Sequence, residues 1–178
     1  MFLVITGSAM PQGYYLLKAG GEFTHVNSTG FSDKKLEQKG NFTGFKVGFG
    51  ASILFSFSYG STEMEDKYFV GKKNKVGLYN FILGMEPLTE GTLRGPELRP
   101  VIEMSIGWVS GDRDLSGSYG SLSAGGEMLY SISETLLFNV RAQLHFGMMY
   151  LAGGNVFDET GVRLTSGPQM SIGLVSRF

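Results

Sequence analysis

The 178-residue chain carries 15 Lys+Arg and 16 Asp+Glu, a net charge of -1, and no cysteine. That balance excludes a basic nucleic-acid footprint, and the missing cysteines exclude a disulfide scaffold and a Cys-based metal or redox site. Charged residues make up 17% of the chain beside 42% hydrophobic and 13% aromatic; roughly 25% charged is usual for a soluble domain, yet no stretch reaches the ~18–20 apolar residues of a spanning helix.

Met1 to Gln12 stands apart from the rest of the chain. Phe2-Leu3-Val4-Ile5-Thr6-Gly7-Ser8-Ala9 reads as the tail of a signal peptide, with small Gly7 and Ala9 before a cleavage point. No Lys or Arg precedes the apolar run, so the alternative is a frayed leader or an extra strand.

From Gly13 the period is two. The first strand, Gly13 to Thr24, sets Tyr15, Leu17, Ala19 and Phe23 against Lys18, Gly20 and Glu22. A polar loop, Asn27 to Gly40, holds Asp33, Lys34, Lys35, Glu37 and Lys39. The second strand, Phe42 to Gly50, sets Phe45, Val47 and Phe49 against Gly44, Lys46 and Gly48. A short turn at Ala51-Ser52-Ile53 leads to a third, with Phe55, Phe57 and Tyr59 opposite Ser56, Ser58 and Gly60. Glu63 to Lys75 is a charged loop. The fourth strand, Val76 to Met85, places Tyr79, Phe81, Leu83 and Met85 on its apolar face, and Pro87 to Pro96 is a break. The fifth, Leu98 to Val109, sets Ile102, Met104, Ile106 and Trp108 against Glu103, Ser105 and Gly107. The sixth, Ser121 to Ile132, sets Leu122, Ala124, Met128, Tyr130 and Ile132 against Ser123, Gly125 and Glu127. After Ser133-Glu134-Thr135, the seventh sets Phe138, Val140, Ala142, Leu144 and Phe146 against Asn139, Arg141, Gln143 and His145. Leu136 to Leu151 also carries a helical stripe, but its two-residue alternation between two clear strands favours a strand. A loop from Leu151 to Glu159 precedes the last alternation, with Met170, Ile172, Leu174 and Phe178 opposite Gln169, Ser171, Gly173 and Arg177.

One phase of every strand is empty of charge. The other collects Lys18, Glu22, Lys46, Glu103, Glu127, Arg141, His145 and Arg177. A lipid-facing wall requires such emptiness, because Lys or Arg at its midplane costs ~2–4 kcal/mol. A soluble ligand-binding barrel would point the apolar phase inward instead, and alternation alone does not choose between the two.

The closing segment Ile172 to Phe178, with its terminal aromatic, resembles the last strand of Gram-negative outer-membrane β-barrels, departing from it at Ser176. Together with Ala124-Gly125-Gly126-Glu127-Met128-Leu129-Tyr130 and the following tight turn, it gives a resemblance, over Gly13 to Phe178, to the small eight-stranded outer-membrane barrels. These are the transmembrane domain of outer-membrane protein A, outer-membrane protein X and the opacity-type adhesins. The resemblance implies an all-β, eight-stranded antiparallel up-and-down transmembrane β-barrel in the bacterial outer membrane. It implies outer-membrane lipid and lipopolysaccharide as surroundings, and Met170, Ile172, Leu174 and Phe178 as a signal to the barrel-insertion machinery. A surface partner reached through the loops is a further expectation.

In that frame the charged phase forms a salt-bridge network filling the lumen, because buried charges must be paired and eight strands leave an interior just wide enough for side chains. A gated pore is the alternative. Tyr59, Trp108, Tyr130, Tyr150 and Phe178 sit near the expected strand ends and are candidates for aromatic girdles at the two interfaces, with ordinary strand aromatics as the alternative. No catalytic motif is strong. His25, Asp33 and Ser28 mimic a rim triad, and His145-Phe146-Gly147 lacks the Ser of a lipid-A deacylase run, so neither a catalytic residue nor a cofactor is expected. Lys72-Lys73-Asn74-Lys75 is read as a solvated rim or a contact to lipopolysaccharide phosphates.

Overall fold

The computed structural model describes residues 15–30, 37–65, 73–86, 96–112, 115–152 and 161–178. These form eight strands: β1 (Leu16–Gly30), β2 (Glu37–Gly50), β3 (Ile53–Glu65), β4 (Lys73–Met85), β5 (Glu97–Gly111), β6 (Ser116–Ser131), β7 (Leu136–Ala152) and β8 (Gly161–Arg177). Each pairs antiparallel with its sequence neighbours, and β8 pairs with β1, closing the barrel. Leu136–Ala152 is strand throughout, as its alternation predicts. The signal-peptide remnant expected at Met1 to Gln12 lies outside the described residues.

The pairing register fixes the shape. From Gly20 it runs through Lys46, Ser58, Asn80, Gly107, Tyr119, Met149 and Arg163 and returns to β1 at Gly30. Such a stagger requires strands tilted by about 35–45° and leaves a lumen that side chains fill. The seam between β1 and β8 is tight. A Cβ built on Gly20 would lie 2.2 Å from the Ile172 carbonyl oxygen, and one on its partner Gly173 would lie 2.4 Å from that of Ala19. The ladder of this seam pauses at His25 and Val26, beside Pro168, whose ring nitrogen has no hydrogen to donate.

Residues 16 and 177 meet at one end of the barrel, which also carries the short β2–β3 and β6–β7 turns. We call it the terminal end and the other the loop end. The strands are longer than the alternation suggests, and at the loop end they take up much of what reads as loop. Asn27 to Gly30, Glu37 to Gly40, Glu63 to Glu65 and Lys73 to Lys75 are all strand. These extensions carry outward charges, Lys39, Glu63, Lys73 and Lys75, so polarity alone conceals their pairing. The centres of three expected loops, at 31–36, 66–72 and 153–160, and most of the Pro87–Pro96 break lie outside the described residues.

The faces sort as the two-residue period requires. Phe55, Ile106, Leu144 and Phe146 project outward and are more than half exposed, whereas Glu103, Glu127, Arg141 and His145 are buried inside. The inner face is not uniformly polar, however. An apolar layer of Leu16, Leu54, Leu129, Leu137 and Val175 fills the terminal end. A larger one, with Val26, Phe42, Leu78, Val109, Tyr119, Met149 and Leu151, fills the loop end. A charged belt lies between them.

Candidate functional site

The belt is built from inward positions of five strands, β1, β2, β5, β6 and β7, and one residue just past the end of β4. Arg141 on β7 is its centre. Its guanidinium donates to the carboxylates of Glu86, Glu103 and Glu127, the last at 3.0 Å. The Lys18 ammonium donates to both oxygens of Glu127, at 2.9 and 2.7 Å, and also to Glu86. Lys46 grips both oxygens of Glu103 at 2.7 Å and lies 3.8 Å from Glu22. Asn139 donates to Glu127 at 2.8 Å. Gln143 donates to Ser123 at 3.3 Å just above. Every carboxylate that Arg141 touches also receives a lysine, so the charges compensate within one layer. That satisfies the condition on which buried ions survive, since an uncompensated one costs several kcal/mol.

Of the residues the sequence singles out for this network, the structure brings together Lys18, Glu22, Lys46, Glu103, Glu127 and Arg141. His145 is inside, 1% exposed, but neither ring nitrogen has a hydrogen-bond partner among the described residues. It sits on the loop-end side of the belt. Arg177 is half-buried at the terminal end, in register with Leu16, away from the belt. Three buried ions escape the sequence reading, Glu86 and Arg99 on the terminal-end side and Arg163 toward the loop end. Glu86 directly precedes Pro87 and reads as the start of a loop, yet it is 2% exposed; its backbone N–H donates to the Ser52 carbonyl at 3.0 Å, holding it against the β2–β3 turn. Arg99 precedes Pro100 at the edge of a strand expected from Leu98. It is buried, donates to Glu97 at 2.8 Å, and lies in register with Glu127. One further inward position past Gly84 on β4 reaches Glu86, and Arg99 already shares the inward phase of Glu103 within the strand expected from Leu98.

Two voids open into the belt and the layer above it. One, about 20 Å³, is bordered by Lys18, Lys46 and Arg141; the other, about 10 Å³, by Asn80, Glu103 and Tyr119. Each has room for about one water. With the apolar layers above and below, the described residues fill the lumen.

On the outer wall the girdle candidates lie at different heights along the barrel. Tyr130 lies at the terminal end of β6 and Tyr150 near the loop end of β7. Trp108 stacks on Tyr79 at 5.0 Å, with 6° between the planes, and Tyr59 lies 4.7 Å from Tyr79. Tyr59 is therefore a mid-strand residue of an aromatic row on β3–β5, contrary to its expected place at a strand end. Met170, Ile172, Leu174 and Phe178 all project outward and are exposed. The candidate rim triad is not assembled. His25 contacts the side chains of Asn41 and Asn27 on the outer face, Ser28 is buried on the inner face, and Asp33 lies outside the described residues. Among the described residues no group of three His, Cys, Asp or Glu is arranged to hold a metal.

A charged interior within an apolar exterior is the inverse of a soluble fold. It defines a transmembrane β-barrel of the outer-membrane class. Solved structures bear out the architecture. The chain is similar to the outer membrane protein OprG from Pseudomonas aeruginosa (12% identity, TM-score 0.53, covering 93% of this chain and 96% of that one). It is similar to Ail, the attachment invasion locus protein of Yersinia pestis, solved with the heparin analogue sucrose octasulfate (14%, TM-score 0.55, 94% and 100%). It is also similar to the outer membrane protein AlkL in lipid bilayers (11%, TM-score 0.52, 97% and 93%). At these identities the likeness is one of fold. No protein-family model matches the sequence, and no curated protein does.

Proposed function

We propose that the protein is a closed barrel of the bacterial outer membrane, with a structural and surface-interaction role carried by its loop end. The observation that carries this reading is the filled lumen: a compensated ion belt between two apolar layers, with voids of about 20 and 10 Å³. A barrel packed in this way supports its loops rather than conducting solutes through its axis. Long extracellular loops above short periplasmic turns are the usual arrangement of such barrels, so the loop end faces outward. Lipid and lipopolysaccharide surround it, Met170, Ile172, Leu174 and Phe178 address the insertion machinery, and a surface partner is met by the loops. Neither a catalytic residue nor a cofactor is part of the reading.

The test is a pair of measurements on the refolded barrel. In planar bilayers it is expected to give no current steps. Cells displaying it are expected to lose surface attachment when residues 31–36 and 66–72 are replaced by Gly-Ser turns. Reproducible steps altered by Glu103→Gln would replace this reading with that of a pore.

A further inference from the structure

We propose that a slot between β2 and β3 at the loop end takes an extended peptide segment of an extracellular protein, which pairs with the open backbone edges as an added strand. The slot follows from the register. The β2–β3 ladder stops at Thr43↔Ser61, whereas β1–β2 runs on to Thr29↔Glu37 and β3–β4 to Glu65↔Lys73. Four further rungs, Phe42/Thr62 to Lys39/Glu65, would continue the β2–β3 ladder, and none is paired. Among the described residues, the edges of β2 from Glu37 to Phe42 and of β3 from Thr62 to Glu65 therefore face each other with no strand between them. Half of the backbone groups in these segments bond to β1 or β4, and the other half point into the slot.

The slot opens where the wall leaves the bilayer. The outward residues of the two strands change from Phe45 and Tyr59 to Thr43 and Ser61, and then to the exposed Asn41 and Glu63. Lipid does not tolerate an open edge, but above it the edge meets water and is a template for another chain. The two faces of the slot select the occupant. On the inside, the Phe42 ring folds along its own strand, since a Cβ on Gly40 would lie 3.0 Å from it; with Val26, Val76 and Leu78 it belongs to the apolar layer of the loop end. On the outside, Lys39 is exposed on one lip and Glu63 on the other. Opposite charges on the two lips favour an uncharged polar residue between them. The occupant therefore alternates apolar residues inward with uncharged polar residues outward, while its backbone supplies the hydrogen bonds. A second copy of the barrel does not fit, because its own open edges face each other in the same way and neither projects. The inference rests on the surface-interaction role proposed above and names the chemistry of the partner.

The probe is a synthetic hexapeptide alternating valine and threonine, with an ethylene-glycol tail for solubility, added to the refolded barrel in zwitterionic micelles. Backbone amide hydrogen exchange is followed residue by residue by NMR. In the free barrel, alternate amides between Lys39 and Phe42 and between Thr62 and Glu65 should exchange freely. Saturating peptide should slow these amides by about tenfold or more and leave those of β7 and β8 unchanged. The same peptide with every backbone nitrogen methylated keeps its side chains but has no N–H to donate, and should give no protection. Slot amides already protected in the free barrel, amides unchanged by the peptide, or equal protection by the methylated peptide would each overturn the proposal. Every sample is first checked for heat-dependent migration on an SDS gel. A barrel that passes this check but gains no protection in the slot keeps its membrane placement and its loop contacts, which the Gly-Ser replacements test separately, and loses only the strand slot.

Discussion

Replacing Arg141 with Met tests whether the belt holds the barrel together. The substitution removes one cation from contact with three buried carboxylates, Glu86, Glu103 and Glu127. Lys46 still serves Glu103, but Glu86 and Glu127 are left to share Lys18. One negative charge is then uncompensated in a layer with almost no water. Breaking a buried pair in this way costs about 3–5 kcal/mol, a large part of the ~5–15 kcal/mol that stabilises a typical domain. Urea unfolding in micelles, followed by Trp108 emission, measures the loss. A slope of ~1–3 kcal/mol per molar converts it to a midpoint shift on the order of 2 M. Two comparisons separate charge from packing. Lys73→Gln, which breaks an exposed pair, should cost no more than about 1 kcal/mol. Arg141→Met/Glu127→Gln leaves Lys18 with Glu86 and Lys46 with Glu103, and should recover more than half of the loss. Arg141→Met unfolding together with the Lys73→Gln control, or a double variant no more stable than the single one, would refute this role of the belt.

Further outcomes concern the walls and the seam. Gly20→Val should abolish the heat-resistant form on an SDS gel, because its Cβ would lie 2.2 Å from the Ile172 carbonyl oxygen, whereas Gly21→Val, whose nearest contact is 3.9 Å away, should retain it. Leu144→Lys, at an outward mid-strand position, should destabilise the barrel by ~2–4 kcal/mol in bilayers, while Leu144→Phe should change equilibrium unfolding by less than about 1.5 kcal/mol. Deleting Phe178 should lower the amount of barrel assembled in cells and leave refolding from urea into micelles nearly unchanged; equal losses in both assays would remove its role as an insertion signal.

Much of this architecture is legible in the residues. Period-two alternation needs no partner to be seen, so the outward set from Tyr15 to Phe178 and six members of the belt come from phase alone. What phase does not carry is height along the barrel axis, which the stagger between strands determines. Val26, Leu78, Leu137 and Val175 share their inward phase with Lys18 and Arg141, but only the register separates them into apolar layers above and below the ions. Glu86 is obscured by Pro87, which looks like a strand end, whereas Arg99 lies within the strand expected from Leu98 and is passed over at its first inward position. The loop-end extensions are obscured by their own charges, because a strand rising beyond the bilayer meets water on its outer face and no longer needs an apolar phase. Tyr59 looks terminal while its strand is taken to stop at Gly60, and becomes central once the strand runs to Glu65.

At the seam, the Phe178 backbone N–H donates to the Tyr15 carbonyl at 3.1 Å. The ring of strands therefore has no structural beginning. A circular permutant that links Phe178 to Tyr15 and opens between Ala51 and Ser52 would retain all eight strand pairings, though β2 would then be the last strand made. Chain order and barrel architecture are separable in this molecule, so assembly of the permutant in cells would show whether the cell reads the shape of the closing strand or its place in the chain.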